Sequence, residues 1–491
     1  MASNSPTSDK IEYFRNGQKV IINEFGPTDT LLDHLRLTEG SYGTKEGCCE
    51  GDCGACTVVL GQQQDGKMHY RPVNSCIYLL GMANGQEVIT IDDLTAKGEA
   101  LHPVQQSMVN HHATQCGFCT PGFVMALFAL YHSEQNVSRD VITTQLAGNL
   151  CRCTGYRPIV DAGLEACQQT PADQFTARAP QTAKMLADMP DKDLFVGNDD
   201  RFFAAPKSLD SLAILYNQHP DATIVAGATD VGLWITKRLM DLPKIIYIGN
   251  VVGLDHVLID DDKITIGAAV TYANAMDAVG GLDADIKETM RRIGSKQVRE
   301  SGTIGGNIAN GSPIGDMPPL LIAMGADIKL QKGTETRNLK LEDYFIAYGQ
   351  QDRQQGEFLA EITVPKLKQN EHFRAYKITK RFDQDISAVM AAFHFTIDNG
   401  KITAARIAFG GMAATPKRAG FTEVTLIGLD IANFDQKHPA LDMLGMDFTP
   451  LSDMRASADY RLNVAKGLLT KAIIELSDQT DETRILNVRA S

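Results

Sequence analysis

Nine of the ten cysteines lie from Cys48 to Cys153, and spacing sorts eight of them, all but Cys49, into two groups. Cys48, Cys53 and Cys56 follow C-x4-C-x2-C inside Gly47-Cys-Cys-Glu-Gly-Asp-Cys-Gly-Ala-Cys56, and Cys76 follows at a distance. Three close thiolates and one remote one is the plant-type [2Fe-2S] pattern. Four thiolates must wrap one small anionic core, so the backbone has to turn tightly. Gly47, Gly51 and Gly54 supply the unusual dihedrals and the close approach. Backbone N–H groups aimed at the sulfurs help to stabilise the reduced state. A zinc knuckle is the competing reading, but zinc sites come as closely paired cysteines, which this run does not match. Cys49 falls outside the spacing and reads as a non-ligand. The second group is Cys116-x2-Cys119 and Cys151-x-Cys153. By itself it leaves zinc and iron–sulfur both open.

The elements that must position these cysteines can be read from turn signals and periodicity. Residues 11–25 form a hairpin through Asn16-Gly17. Thr30 to Leu37 is a short helix, the run after Cys56 is a strand, a turn at Asp65-Gly66 leads to another, and Val88 to Ile91 closes a small α+β unit. From Leu94 the pattern turns helical. Four helices are expected: His102 to His112, Pro121 to His132, one N-capped by Ser138 and running to Leu146, and one opened by Pro158 and running to Cys167. Both cysteine pairs of the second group fall in breaks between helices, so the two loops converge at one end of a bundle. Residues 171–197, rich in Ala, Gln, Thr, Asp and Pro, read as a linker.

An α/β pattern begins near Arg201. Thr223 to Ala226 is a buried strand that runs into Gly227-Ala-Thr-Asp230, where small residues let backbone amides approach a pyrophosphate. It is not G-x-G-x-x-G, so a Rossmann site is not supported. Thr303-Ile-Gly-Gly-Asn307 and Ser312-Pro-Ile-Gly-Asp316 form a second small-residue loop, and Asp316 could accept from a ribose or ribityl hydroxyl. Ordinary turn chemistry explains either segment taken separately. A last block, from about His372, has strands at Val389 to Ile397 and Ile402 to Phe409 and then amphipathic helices to about Leu476.

Three runs together resemble the molybdenum hydroxylases, the family of xanthine dehydrogenase and aldehyde oxidase. They are Cys48 to Cys56, Gln115-Cys-Gly-Phe-Cys-Thr-Pro-Gly122 and Gly148-Asn-Leu-Cys-Arg-Cys-Thr-Gly-Tyr-Arg157. The resemblance implies two [2Fe-2S] clusters, held by Cys48, Cys53, Cys56 and Cys76, and by Cys116, Cys119, Cys151 and Cys153. The second would sit in a four-helix bundle near a molybdopterin, with Gln115 at the position that contacts the pterin. Cys49 stands where the family has a glycine. The resemblance extends to an FAD domain of the vanillyl-alcohol-oxidase type. It implies flavin contacts at Ile224, Val225, Ala226, Gly227, Ala228, Thr229, Asp230 and Val231, at Thr303 and Asp316, at Leu359 and Lys377, and at Ile293, which replaces a family aromatic. Arg381 to Ile386 matches a loop that influences access of NAD to the flavin.

The expected fold is therefore multidomain α+β. A β-grasp ferredoxin-like domain (9–93), a helical [2Fe-2S] domain (94–170), the linker, an FAD-binding domain (198–370) and a C-terminal α+β domain (371–482) follow one another. Only about 120 residues follow the flavin block, which is read as too short for molybdenum domains. The layout resembles the iron–sulfur/FAD subunit of bacterial two-subunit xanthine dehydrogenases. It implies a molybdopterin-binding large subunit as partner, a heterotetramer of two small and two large chains, hydroxylation of hypoxanthine and xanthine on that partner, and NAD as acceptor. No acid–base catalytic residue is then expected in this chain. Another molybdenum hydroxylase acting on an aldehyde or an N-heterocycle, a stand-alone iron–sulfur flavoprotein reductase, and a zinc scaffold are the alternatives.

The composition fits this reading. The 491 residues carry a formal charge of −13 with no basic cluster, which argues against nucleic acid or an anionic membrane as partner. Met1 to Lys10 is polar and has no apolar run of a signal peptide, and no stretch is long and apolar enough to span a bilayer, so a cytoplasmic protein is expected. Gly61 to Lys67 imitates a phosphate loop, but Met68 stands where the hydroxyl should be. His111-His112 cannot face one way on a helix, and Cys167 reads as a buried apolar thiol.

Overall fold

The computed structural model describes residues 7–96, 98–133, 136–477 and 483. Most of Met1 to Lys10 and the end of the C-terminal block expected to reach 482 lie outside the described residues. Among the described residues no helix is long and apolar enough to cross a membrane. The chain divides into two compact units. One comprises Met1–Asp255, Thr271–Ala273 and Gly294–Thr303; the other comprises His256–Val270, Asn274–Ile293 and the chain from Ile304.

The first unit opens with a five-stranded mixed sheet. Its strand order is Gln18–Ile22, Ile11–Arg15, Glu87–Ile89, Thr57–Gln64 and Lys67–Asn74. Asn16 and Gly17 have φ of 51° and 71°, as a two-residue hairpin turn with right-handed strand twist requires. Asp65 and Gly66 do the same for the second hairpin, so Gly61 belongs to a strand and not to a phosphate loop. The short helix expected from Thr30 is a turn of α-helix, Leu31–Asp33, that widens into a π-helix, His34–Thr38. Burial of Leu31, Leu32 and Leu35 pins it to the sheet, and the chain then enters the cysteine loop.

Four helices follow: Pro103–Asn110, Thr120–Tyr131, Arg139–Leu146 and Arg157–Cys167. Ser138 caps the third through Val141 N–H, as its residue type predicts. The second helix is buried at every position from Gly122 to Tyr131, so it forms the axis of the bundle. Cys167 is buried, and His111 reaches Glu165 at 2.6 Å rather than a metal.

The stretch 171–197 differs from the expected irregular linker. It holds a helix, Gln174–Ala187, with Pro180 inside it, and a strand, Asp193–Asn198. Phe175 is fully buried and meets Phe128 of the bundle at 4.8 Å between ring centroids. Arg178 lies over the Phe175 ring and pairs with the buried Glu87 at 2.7 Å. Asp173 N-caps the helix through Thr176 N–H and also receives His102 Nε2 at 2.6 Å and His132 Nε2 at 2.9 Å. His102 Nδ1 accepts Val104 N–H, so the proton sits on Nε2 and is donated to Asp173. That tautomer leaves His102 Nε2 no lone pair for a metal. One apolar anchor and one buried carboxylate thus turn a polar-looking segment into part of the core. The strand continues into a second sheet of this unit, in the order Thr7–Ser8, Asp193–Asn198, Arg201–Ala205, Lys244–Tyr247 and Thr223–Val225, with parallel pairing through its last three strands.

The second unit has a five-stranded antiparallel sheet, in the order Val257–Ile259, Lys263–Gly267, Phe358–Pro365, Asp327–Lys332 and Glu335–Lys340. It also has a four-stranded meander, Glu371–Ile378, Val389–Asp398, Lys401–Gly410 and Lys417–Arg418. The two long strands expected from the sequence sit at its centre. Phe393, Phe395 and Phe409 form its core together with Leu469 of the helix Ala458–Ile474. The fold is multidomain α+β.

Asp173→Ala removes a helix cap and the acceptor of two buried histidines, which together cost ~2–4 kcal/mol. Urea unfolding and limited proteolysis within 174–187 would register it, and Asp173→Asn should be milder. Burial raises the Asp173 carboxyl, but the His102 and His132 hydrogen bonds outweigh it and hold the group below its ordinary 3.8. The stabilisation is therefore present above that value and lost as pH falls further.

Candidate functional site

The first cysteine quartet lies in the loop between the π-helix and the strand Thr57–Gln64, closed by Cys76. Cys56 and Cys76 are buried with their sulfurs 3.3 Å apart. Cys48 and Cys53 make a second sulfur–sulfur hydrogen bond. Cys48 Sγ accepts the N–H groups of Asp52 and Cys53 at 3.4 and 3.3 Å. In each pair one thiol is acidified and its partner pushed up. Cys48 is drawn down to about 5, first by the hydrogen bond from Cys53, while Cys53 is raised. The hydrogen bond with Cys76 likewise lowers Cys56 and raises Cys76. Crowded thiols that share protons in this way are what a metal core displaces protons from.

Glycines make the cradle. Gly51 and Gly54 have φ of +74° and +68°, and a Cβ on Gly47 would stand 2.9 Å from Cys53 Sγ. The donor set and the cradle fit a four-thiolate [2Fe-2S] core. Cys49, also left-handed at φ 56°, turns away: its thiol donates to Glu46 Oε1 at 2.8 Å, and burial followed by that bond pushes it up to about 12.

The second quartet is assembled by the bundle. Cys119 precedes the helix Thr120–Tyr131, and Cys151 and Cys153 follow Arg139–Leu146, so both loops meet at one end. Cys116 hydrogen-bonds with Cys153, and Cys119 with Cys151. Cys151 accepts from the Thr154 hydroxyl at 3.3 Å and is held at about 7 by Thr154 and the local backbone against its burial. Cys119 is pushed up to about 12, first by burial. The four sulfurs of this group also fit one four-thiolate core. Cys116, Cys153 and the preceding Gln115 are exposed.

The two cysteine loops touch through backbone. Leu150 N–H, next to Cys151, donates to the carbonyl of Cys53 at 3.0 Å. The contact is tight because three glycines interlock. A Cβ on Gly54 would lie 2.3 Å from the Gly148 carbonyl, and one on Gly122 would lie 2.2 Å from that of Gly54.

The predicted flavin residues fall in both units. In the first, the strand Thr223–Val225 carries Ile224 and Val225 and leads through Ala226 and Gly227 to Ala228, Thr229 and Asp230, before the helix Val231–Thr236. Ala228 sits at φ 58°, and a Cβ on Gly227 would be 1.8 Å from the Ser301 carbonyl, so this turn is pressed on the segment that ends at Thr303. Asp230 is engaged by Trp234 Nε1 at 2.9 Å. The following helix rests on the first cysteine loop: Thr236 Oγ1 donates to Cys49 O at 2.6 Å and Lys237 Nζ to Cys48 O at 2.5 Å. Gly232 packs on Ile77, the residue after Cys76. Gly227 and Thr229 share a narrow crevice with Asn74, Tyr78 and Gln297. A nucleotide-type loop without side-chain bulk, lying beside a metal-type loop, suits a flavin.

In the second unit, Asp316 and Lys377 are not separate contacts. Lys377 Nζ meets Asp316 Oδ2 at 2.5 Å, and Ser387 Oγ donates to Asp316 Oδ1 at 2.5 Å, all three being buried. Leu359 is buried in the strand Phe358–Pro365, opposite Leu330. Ile293 is half-buried. The neighbouring Arg292 donates to the carbonyls of Phe382 and Lys377 and stacks on the Phe382 ring at 4.4 Å, fixing the turn at 379–386. Sequence reasoning missed Arg292, Ser387 and Gln297, since single polar residues on helices and strands carry no pattern.

Comparison with known proteins matches four family models. They are the 2Fe-2S iron-sulfur cluster binding domain over residues 14–80, the [2Fe-2S] binding domain over 90–164, the FAD binding domain in molybdopterin dehydrogenase over 198–367, and the CO dehydrogenase flavoprotein C-terminal domain over 374–476. The chain is 27% identical to the xanthine dehydrogenase of Emericella nidulans, over 96% of this chain and 39% of that protein. It is 30% identical to the xanthine dehydrogenase/oxidase of Rattus norvegicus, over 83% of this chain and 34% of that protein. The chain thus spans between a third and two fifths of these curated relatives. Among solved structures it is similar to CO dehydrogenase from Oligotropha carboxidovorans (TM-score 0.52, 27% identity, 56% of this chain and 96% of that one). It is also similar to quinoline 2-oxidoreductase from Pseudomonas putida 86 (TM-score 0.50, 25% identity, 55% and 94%).

Two outcomes follow from the geometry. Cys49→Gly should leave the iron content of the purified chain unchanged, whereas Cys56→Ala should remove the iron of one site, as metal analysis would report. Lys377→Met leaves the buried Asp316 charge unpaired at a cost of ~3–5 kcal/mol. Adding Asp316→Asn should recover part of that loss in thermal unfolding.

Proposed function

We propose that this chain, which belongs to the molybdenum hydroxylase family, is the iron–sulfur and flavin electron-transfer subunit of a xanthine dehydrogenase. Its partner would be a molybdopterin-binding large subunit in a heterotetramer of two small and two large chains, on which hypoxanthine and xanthine are hydroxylated. One observation carries the reading: within one unit, the two cysteine quartets and the segment from the glycine loop at 224–231 through the helix after it form a continuous series joined by hydrogen bonds to backbone carbonyls. Two [2Fe-2S] clusters, when bound, supply one-electron relay, and FAD supplies two-electron reduction of NAD.

The residues divide this work. Cys116, Cys119, Cys151 and Cys153 hold the cluster nearer the partner, and their exposed loop, with Gln115 beside it, faces outward toward the pterin. Cys48, Cys53, Cys56 and Cys76 hold the other, and burial of Cys56 and Cys76 keeps water from it. Ile224 to Val231 and Thr303 bind the flavin's phosphates through backbone. In the second unit, Asp316 and Lys377 form a pair without net charge, completed by Ser387, and Leu359 is buried opposite Leu330. Arg292 orders the turn that flanks the NAD side. This chain binds, orients and insulates; no side chain in it is assigned to proton transfer on the purine.

Similarity to CO dehydrogenase and quinoline 2-oxidoreductase supports a second reading, in which the partner takes another substrate, an aldehyde or an N-heterocycle. The deciding experiment is purification of the native complex, with metal and flavin analysis, followed by assay with xanthine and NAD. The expected result is about four irons and one FAD per chain and urate formed with NADH. Iron and flavin present with no urate, but with turnover of an aldehyde or a quinoline, would establish the second reading. Zinc in place of iron would sink both.

A further inference from the structure

We infer that Gln297 is a positioning residue for electron transfer between the two cysteine quartets, acting through Asn149. The inference deepens the electron-transfer role above and rests on both quartets holding [2Fe-2S] clusters. Gln297 lies in the short helix Lys296–Arg299, within the stretch that matches the FAD-binding model. Its side-chain amide donates outside that stretch. It is 1% exposed and inserts where the ferredoxin sheet and the helical bundle meet. Its Nε2 donates to Asn149 Oδ1 at 2.9 Å and to Thr57 Oγ1 at 3.1 Å. Asn149, 2% exposed, uses its own amide N–H to bond the Gly54 carbonyl at 3.1 Å, and Thr57 donates to the same carbonyl at 2.7 Å.

The position of this node gives it consequence. Thr57 follows Cys56, and Gly54 stands between Cys53 and Cys56. Asn149 is two residues before Cys151, and the intervening Leu150 makes a backbone hydrogen bond from one cysteine loop to the other, to the carbonyl of Cys53. A path of covalent bonds plus that one hydrogen bond links Cys151 to Cys53. With both clusters bound, one electron would pass along it from the Cys151 cluster, which would be oxidised, to the Cys53 cluster, which would be reduced, with no proton and no bond made or broken. Transfer of this kind is steeply sensitive to the gap between the loops, and the gap is set by whether Asn149 stays on Gly54. Gln297, Asn149, Thr57 and Gly54 are all buried, so no water can replace Gln297 cheaply. Gly148 has no room for a side chain, since a Cβ there would stand 2.3 Å from Gln297 Oε1. Gln297 Oε1 itself has no hydrogen-bond partner, a cost the site bears to place Nε2 between its two acceptors.

The test uses the full chain purified with its partner, in the forms Gln297→Met, Thr57→Val and Thr57→Ser. Gln297→Met keeps the volume and removes both hydrogen bonds, Thr57→Val removes one acceptor, and Thr57→Ser retains it. Iron and flavin content are measured first. The clusters are then reduced by one electron to follow redistribution between them, and fully reduced to record by EPR the dipolar broadening that each imposes on the other. With iron and flavin retained, redistribution should slow several-fold and the broadening should change in Gln297→Met and, less, in Thr57→Val, while Thr57→Ser stays as in the unaltered protein. Redistribution and broadening unchanged in Gln297→Met would overturn the inference. So would loss of iron or fold in Gln297→Met with both readouts unchanged in Thr57→Val, which would leave Gln297 a folding role. Iron missing from the unaltered chain would instead sink the cluster reading, and the inference with it.

Discussion

Two backbone loops, each built to surround an anionic core, approach each other closely in the first unit at three glycines. Gly54, Gly122 and Gly148 each face a carbonyl or side chain that leaves no room for a Cβ, and the hydrogen bond from Leu150 N–H to Cys53 O spans the junction. Such closeness cannot be supplied by side chains, which would hold the loops apart. The Gly54 carbonyl at the junction is taken up by Asn149 and Thr57. Most of what surrounds the junction serves to hold it. The bundle axis Thr120–Tyr131 places Cys119, the ferredoxin strand Thr57–Gln64 places Cys56, and Lys296–Arg299 drives Gln297 between them.

The same economy governs the glycine loop at 227. It is pressed on the Ser301 carbonyl, and the helix that follows it spends Thr236 and Lys237 on the carbonyls of Cys49 and Cys48. A nucleotide-type loop and a metal-type loop thus share one set of backbone contacts. In the second unit the problem is different. Lys377 and Asp316 are charges in a dry place, and they are stable there because Ser387 completes their hydrogen bonding. Paired and satisfied, they can present polar atoms without an uncompensated charge.

Polar composition misled at one place. Residues 171–197 carry few apolar side chains, and a count of them suggests a solvated linker. One phenylalanine and one aspartate were enough to make it structure. Phe175 finds a ring to pack on at Phe128, and Asp173 finds two histidines that need an acceptor. Neither partner is near in sequence, so no local window contains the reason. The π-helix His34–Thr38 is a milder case: helix propensity predicts a turn there, and the structure widens it around the buried Leu35.

The sequence by itself determined the parts whose physics is local. Cysteine spacing and the glycines among them carry the first metal-type loop, since four thiolates around one core constrain a short run. Asn16-Gly17, Asp65-Gly66 and Ser138 carry the turns and a cap, since dihedral preference and the nearest N–H act within a few residues. The four helices around the second cysteine group were legible from periodicity, while its choice between metals needed a resemblance across three separate runs. The tertiary structure decided which long-range partners meet: Cys116 with Cys153, Lys377 with Asp316, Asp173 with two histidines, and Gln297 with Asn149. Each of these is a hydrogen bond between groups tens to hundreds of residues apart. Its energy depends on burial that exists only once the chain has folded, and for that reason no pattern along the chain announces it.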